Sequence, residues 1–488
     1  MSGAHLSSAE VRERVDHPIV DADGHFAELN PLFEERVLAL LEQFGGPSLR
    51  ERYRTAMAQP YGWLGRPGDD PAGSRQCARP WWNWPARNTL DRATTHLPAL
   101  LYERLDELGI DFSILYPSLG LAFTDMLDGE LCQALSRAVN TIYAEDYEAY
   151  ADRLTPAALV PMHTPEMAVE EAEYAVGELG LKTILIDGFV ARAVPSIHRD
   201  HPELLPFVQY LDVFALDSPF DYDPFWRRCV ELQLAPVSHS GIIFQRPNRS
   251  VSNYMYNHIN ALSHGHEALC KALFMGGVTR RFPELNFAFL EGGVGWACTL
   301  YADMIGHWEK RNAKAIQILD PATLDIDLMV RLVEQYGAPD LVERRDDIRR
   351  ALSVAAPRPE QLDDWWRCEI GSVQDIHDLF VPRFYFGCEA DDPVTAWAFD
   401  ERVNPMGARM QVVFGSDISH WDVPDMRESV AEAWAQVEDG RFTERDFRDF
   451  TFRNAVRLHA GMNAGFFDGT VCEAAARELL TTEHAVAD

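Results

Sequence analysis

The chain has 488 residues, 47% hydrophobic and 11% aromatic, a composition that excludes a disordered polypeptide and supplies material for a large core. Its 76 acidic against 44 basic residues give a formal net charge of −32, so a phosphate backbone is repelled and nucleic acid is excluded as a partner. The eight cysteines form no CxxC pair and read as reduced thiols, no apolar run approaches the roughly 20 residues that span a bilayer, and MSGAHLSSAEVRERVDHP lacks signal-peptide character, so no membrane association and a cytoplasmic location are expected.

Short β-branched and aromatic runs recur along the chain, most of them followed by stretches with helical spacing, the pattern of βα units around a parallel sheet. Eight strands are predicted: HPIVDAD, DFSILYPS, LTPAALVPMH, KTILIDG, APVSHSG, NFAFLEGG, RFYFGCEAD and QVVFGSD. Gly109 and Gly180 precede the second and fourth, where each suits a helix C-cap. The fold class expected is therefore α/β, a (β/α)8 TIM barrel occupying residues 1–488 as a single domain. Two long insertions interrupt it, at about residues 29–98 after strand one and 312–382 between strands six and seven. Either could be a lid or binding loop, and the second could equally pack the barrel or form a homodimer contact.

In such a barrel the active site forms at the C-terminal ends of the strands. Ionisable groups recur at that end: Asp21, Asp23 and His25 after strand one, His239 after strand five, Glu291 ending strand six, Asp391 or Asp392 after strand seven, and Asp417 ending strand eight. Asp23 and His25 are two apart on an extended segment, so their side chains share a face and can chelate one ion. Alone, that pair is a weak signal, and His239 and Asp417 strengthen it. His258, His264 and His266 follow strand five in NHINALSHGHE, with His264 or His266 the additional candidate ligands and His258 the more structural one. His420, Asp21 and Glu28 read as groups that orient the ligands.

VDADGHFAE, DSPFDYDPFWRRCVELQLAPVSHSG, GGVTRRFPELNFAFLEGGVGW and VVFGSDISHWD resemble the second amidohydrolase family, typified by aminocarboxymuconate semialdehyde decarboxylase. The resemblance spans most of the chain outside the two insertions. It implies a metal-binding barrel whose ligands fall on Asp23, His25, His239 and Asp417. Two positions depart from it: the first ligand is Asp23 where the family usually has His or Glu, and Glu291 stands at the end of strand six, where the family tends to place a catalytic His. The carboxylate-rich set resembles a branch whose members hold a non-haem diiron site and hydroxylate bulky organic acids, many of them coenzyme A thioesters.

That second resemblance implies two iron ions held by Asp23, His25, His239, Glu291 and Asp417 with His264 or His266, dioxygen as co-substrate and an external electron donor. Glu291, Asp417 and His266 are then the catalytic groups. The alternative is a hydrolase or non-oxidative decarboxylase using one zinc or manganese ion, with Glu291 or Asp417 handling the proton. A catalytically inactive scaffold is disfavoured by the strand-end ligands. In WWNWPARN, Trp81, Trp82 and Trp84 could bury the loop or wall the pocket of a small-molecule substrate, with Arg79 or Arg87 holding an anionic group. No P-loop, GxGxxG, GxSxG or Cys-His nucleophile arrangement is found.

Overall fold

All eight predicted strands form. The computed structural model describes residues 6–58, 77–78, 87–124, 126–205, 207–239, 250–353 and 363–487. The strands are β1 (Val20–Phe26), β2 (Phe112–Pro117), β3 (Leu154–Pro156) continuing as β4 (Ala158–Val160), β5 (Ile184–Ile186), β8 (Pro236–Ser238), β9 (Phe287–Phe289), β10 (Phe384–Glu389) and β11 (Gln411–Gly415), with β6 (Val190–Ala193) and β7 (Gln209–Asp212) between β5 and β8. Apart from β6 and β7, every ladder is parallel, in the orders β1-β2-β3 and β4-β5-β8-β9-β10-β11.

Hydrogen bonds from the amides of Ala157 to Leu115 (2.9 Å) and Ala158 to Thr183 (3.0 Å) carry one ladder into the next. The seam is closed by the Asp417 amide donating to the Asp23 carbonyl at 3.1 Å and the His25 amide to the Ile418 carbonyl at 3.2 Å. The eight strands thus form the ring of a TIM barrel. Val20, Ile114, Leu159, Leu185, Val237, Phe289, Phe386 and Val413 are almost wholly buried on these strands, as expected of parallel strands covered by helices.

Gly109 ends the helix Pro98–Leu108 in the left-handed region at φ 72°, as its position after RLDEL predicts. The antiparallel pair β6–β7 was not anticipated. Its strands are short and mostly half-buried, so neither offers an apolar run. The first inserted region contains the helices Leu32–Ala58 and Thr89–His96, and the second contains Ile326–Tyr336, Pro339–Glu343, Arg345–Leu352 and Val373–Phe380. Seven of the cysteines are buried, Cys77 is half-buried, and none of the eight is joined in a disulfide among the described residues. Among the described residues, no helix is long and apolar enough to cross a membrane.

Candidate metal centre

Along β1 the alternation of a strand sends Asp21, Asp23 and His25 toward one side, but an irregularity in register between Asp21 and Gly24 gives them different neighbours. Asp21 accepts bonds from the Ser113 hydroxyl (2.7 Å), the Ser416 amide (2.9 Å) and the Ser416 hydroxyl (2.8 Å), so it ties β1 to β2 and to the end of β11. Gly24 permits this network, since a Cβ there would lie 2.4 Å from both the Asp21 carboxylate and the Ser113 hydroxyl. Glu28 is likewise engaged, by the amides of Leu119 and Gly120 and the Tyr143 hydroxyl.

Asp23 and His25 face the barrel mouth. Nε2 of His25 lies 3.4 Å from Oδ1 of Asp23, 3.3 Å from Oδ1 of Asp417 and 3.2 Å from Nε2 of His239. Nε2 of His239 is 3.7 Å from Oδ1 of Asp23 and 3.0 Å from Oε2 of Glu291. Donors bound to one ion at about 2.1 Å stand about 3 Å apart when adjacent, and the side chains here form two overlapping groups that could hold an ion, Asp23 with His25 and His239, and His25 with Glu291, Asp417 and His420. His420 completes the wall: its ring stacks on His25 at 3.9 Å, and its Nδ1 lies 2.6 Å from Oδ1 of Asp417.

Two of these carboxylates sit on strained backbone, Glu291 at φ 57° and Asp417 at φ 46°. The left-handed region costs a non-glycine residue on the order of 1–2 kcal/mol, and such outliers concentrate where function fixes a side chain. Here the turn out of each strand aims its carboxylate back over the barrel axis. The Ser419 hydroxyl, donating to the His25 carbonyl at 2.8 Å, holds the strand-eight turn against β1.

The electrostatics call for a cation. Oδ1 of Asp23 is buried without a hydrogen-bond donor, and the buried Asp417 carboxylate has the His420 Nδ1 at 2.6 Å beside its Oδ1. Burial, then repulsion by Glu291 and other acids, raises both carboxyls well above the usual range, with His239 opposing the rise at Asp23. Burial, followed by His420 and His239, keeps His25 neutral, as a metal-binding imidazole must be. His239 is instead raised: against burial, the Glu291 hydrogen bond and the charges of Asp23 and Glu291 favour its protonated form. The same pairing, against burial, draws Glu291 down to about 2. A divalent ion among these oxygens would replace proton and imidazolium as the compensating charge, so the donor set fits a metal. Three carboxylates with two imidazoles suit manganese, iron or zinc better than a thiolate-seeking ion.

The remaining predicted residues fall elsewhere. His264 is exposed, its Nδ1 against the Asn260 carbonyl, and the structure does not bring it into the cluster. His266 is fully buried with its ring 5.8 Å from Phe289, and burial, then the His239 charge, pushes it to about 3. It backs Gly292 rather than joining the donors, because a Cβ at Gly292 would sit 2.9 Å from its Nδ1. His258 packs edge-on to Trp421 at 5.4 Å. Arg87 is exposed, and Arg79 and Trp82, with Trp81 and Trp84, lie outside the described residues.

Two acids were missed. Glu389, the last residue of β10, is pushed up to about 9 by burial, then by Glu291 and Asp422. Asp422 also raises Asp417. Glu389 met the criterion that found Glu291, an ionisable residue closing a strand, but Asp391 and Asp392 drew attention from it. Asp392 instead caps the 3-10 helix Pro393–Phe399 through the Val394 amide at 2.9 Å.

The sequence profile of the amidohydrolase family matches residues 20–459, from β1 to the helix Asn454–His459. The chain belongs to the amidohydrolase family. Similar amidohydrolase-family relatives are gamma-resorcylate decarboxylases, from Polaromonas sp. strain JS666 (33% identical over 123 residues, 25% of this chain and 36% of the relative) and from Rhodococcus jostii strain RHA1 (32% over 95 residues, 18% and 28%). The matches thus span about a third of those relatives' length. A solved amidohydrolase from Mycobacterium avium subsp. paratuberculosis K-10 is 16% identical with a TM-score of 0.50, covering 91% of this chain and 99% of that one, and shows the shared fold. The protein is a metal-dependent enzyme of this family.

Proposed function

We propose that this enzyme is a non-oxidative decarboxylase of an organic acid that uses one divalent metal ion, held by Asp23, His25, His239, Glu291 and Asp417. One observation carries the ion count. The two donor groupings at the barrel mouth, His25 with Glu291, Asp417 and His420, and His25 with Asp23 and His239, overlap at His25. The distances to Asp23, Asp417 and His239 all run from its Nε2, which has a single lone pair to give, so only one ion can be bound through that nitrogen, which supports a single ion. The reaction class is supported by relatives named for decarboxylating gamma-resorcylate.

When bound, the ion would supply a Lewis acid that fixes the substrate's oxygens and stabilises negative charge developing as carbon dioxide leaves. The carbon left behind must gain a proton. Glu389 keeps its proton at neutral pH and shares a pocket with Glu291, His258 and Gly292, which makes it a protonated acid at hand beside the donors. His420, linked to Asp417 at 2.6 Å and with its Nε2 3.3 Å from the Ser118 hydroxyl, orients that carboxylate and leads toward solvent.

A second reading, hydroxylation by two iron ions with dioxygen and an external electron donor, is favoured by one feature. Glu291 occupies the position of the family's imidazole, and Asp422 and Glu389 add two more acids beside it. Metal analysis combined with assays under nitrogen and under air separates the two. One ion per chain and carbon dioxide release from aromatic and other organic acids without oxygen uptake support the decarboxylase. Two irons per chain with oxygen consumed in step with product overturn it in favour of the oxygenase.

A further inference from the structure

A cleft of about 880 Å3 runs between the helices Ala261–Met275 and Gly295–Arg311, beside a smaller pocket of about 210 Å3 that reaches the metal centre at Glu291. Asn260, Ser263, Gly292, Gly293 and Asp392 line both spaces, so the smaller opens into the larger. Small residues keep this neck open. A Cβ at Gly293 would come within 3.0 Å of the Asp392 carboxylate, and one at Gly295 within 2.9 Å of Val394. Beyond the neck, Met275, Trp296, Leu300, Met304, Trp365 and Trp397 supply apolar wall. Trp365 belongs to the second inserted region, so a segment outside the βα frame builds one side of the cleft.

We propose that this cleft holds an extended apolar arm of the substrate, aromatic or alicyclic, whose acidic head sits at the metal ion. The proposal rests on the metal-site reading and specifies its substrate class. The smaller pocket at Glu291 suffices for a one-ring acid, whereas the cleft lies in the range of about 300–1,000 Å3 that takes larger ligands. Indole faces and thioethers suit flat or irregular hydrocarbon. A polyanionic arm does not fit. Lys271 already pairs with Glu267 at 3.3 Å, and Asp303, Asp364 and Asp392 outnumber Arg311 among the lining charges.

Benzoate, biphenyl-4-carboxylate and biphenyl-4-carboxylate extended by a terminal phosphate serve as probes, titrated calorimetrically into manganese-loaded protein and into the metal-free chain. The second ring should tighten binding about tenfold or more through buried apolar area, and the phosphate should abolish that gain. In Trp397→Ala, where a half-exposed ring is trimmed, and in Val394→Trp, where the neck is filled, the ratio of the biphenyl and benzoate dissociation constants should fall toward one. Circular dichroism verifies that both variants fold. Metal-dependent benzoate binding with no gain from the second ring, or a ratio unchanged in both variants, overturns the apolar arm and leaves the metal site standing. Binding of neither acid, or binding indifferent to manganese, overturns both.

Discussion

Nε2 of His25 and Nε2 of His239 stand 3.2 Å apart, with their rings nearly perpendicular at 86°. Burial keeps His25 neutral, and Oδ1 of Asp23 lies 3.4 Å from its Nε2 and 3.7 Å from that of His239, with Oδ1 of Asp417 3.3 Å from His25. Without an ion, a protonated His239 can donate to the neutral His25 across this distance. An ion ligated by both would take the place of that proton.

Removing either imidazole should remove the ion. His25→Ala and His239→Ala are expected to purify with under about a tenth of the metal of the parent chain, since each deletes a donor at the centre of the set. Elemental analysis checks this, with circular dichroism confirming that the barrel persists. Parental metal content in both variants would refute the assignment.

Metal affinity should strengthen as pH rises from about 5 to about 8. The competing protons sit on Asp23 and Asp417, both raised well above the ordinary carboxyl range, and on His239, raised by Glu291 and Asp23, and not on His25, which is lowered well below its own. Competition titrations with a chelator at several pH values measure the slope. A flat profile would show that those carboxyls are already ionised in the metal-free chain.

Glu389→Gln should stabilise the metal-free chain increasingly with pH. The carboxyl is raised from 4.5 to about 9 by burial, then by Glu291 and Asp422, so the folded chain holds this proton where the unfolded chain has lost it. Its cost is absent below the unfolded value, grows as pH climbs through the window between the two, and is complete above the folded value. At pH about 8 the variant should gain on the order of 1–3 kcal/mol, read from denaturant midpoints, and near pH about 4 almost nothing. The same variant should lose most decarboxylation if Glu389 supplies the proton, a loss on the order of 100-fold or more in kcat.

Asp21→Ala should damage both fold and site, although Asp21 is no ligand. Its carboxylate accepts from Ser113 and twice from Ser416, and the loss leaves buried donors unpaired at the seam between β1 and β11. A cost of about 2–4 kcal/mol in stability and a 10–100-fold loss of metal affinity are expected, the second because Asp23 and Asp417 ride on the segments Asp21 joins. Thermal unfolding and metal titration test the two separately. A stable variant with parental affinity would contradict this role.

The eight barrel strands and the recurrence of Asp23, His25, His239, Glu291 and Asp417 at their ends were legible in the sequence, because strand runs and their C-terminal residues are local features and the parallel barrel gathers those ends at one mouth. The tertiary structure alone decided which neighbouring acids and histidines turn toward that mouth. Asp21 and Asp23 differ only in which partners the irregular register of β1 presents to them, and the left-handed turns at Glu291 and Asp417 re-aim their carboxylates. His264 and His266 follow β8 closely in sequence, yet the helix Ala261–Met275 points one to solvent and buries the other behind Gly292. His420 and Glu389 enter from strands eight and seven, far along the chain from β1. Sequence proximity carries strand identity, whereas the direction of a side chain depends on backbone turns set by contacts between distant segments.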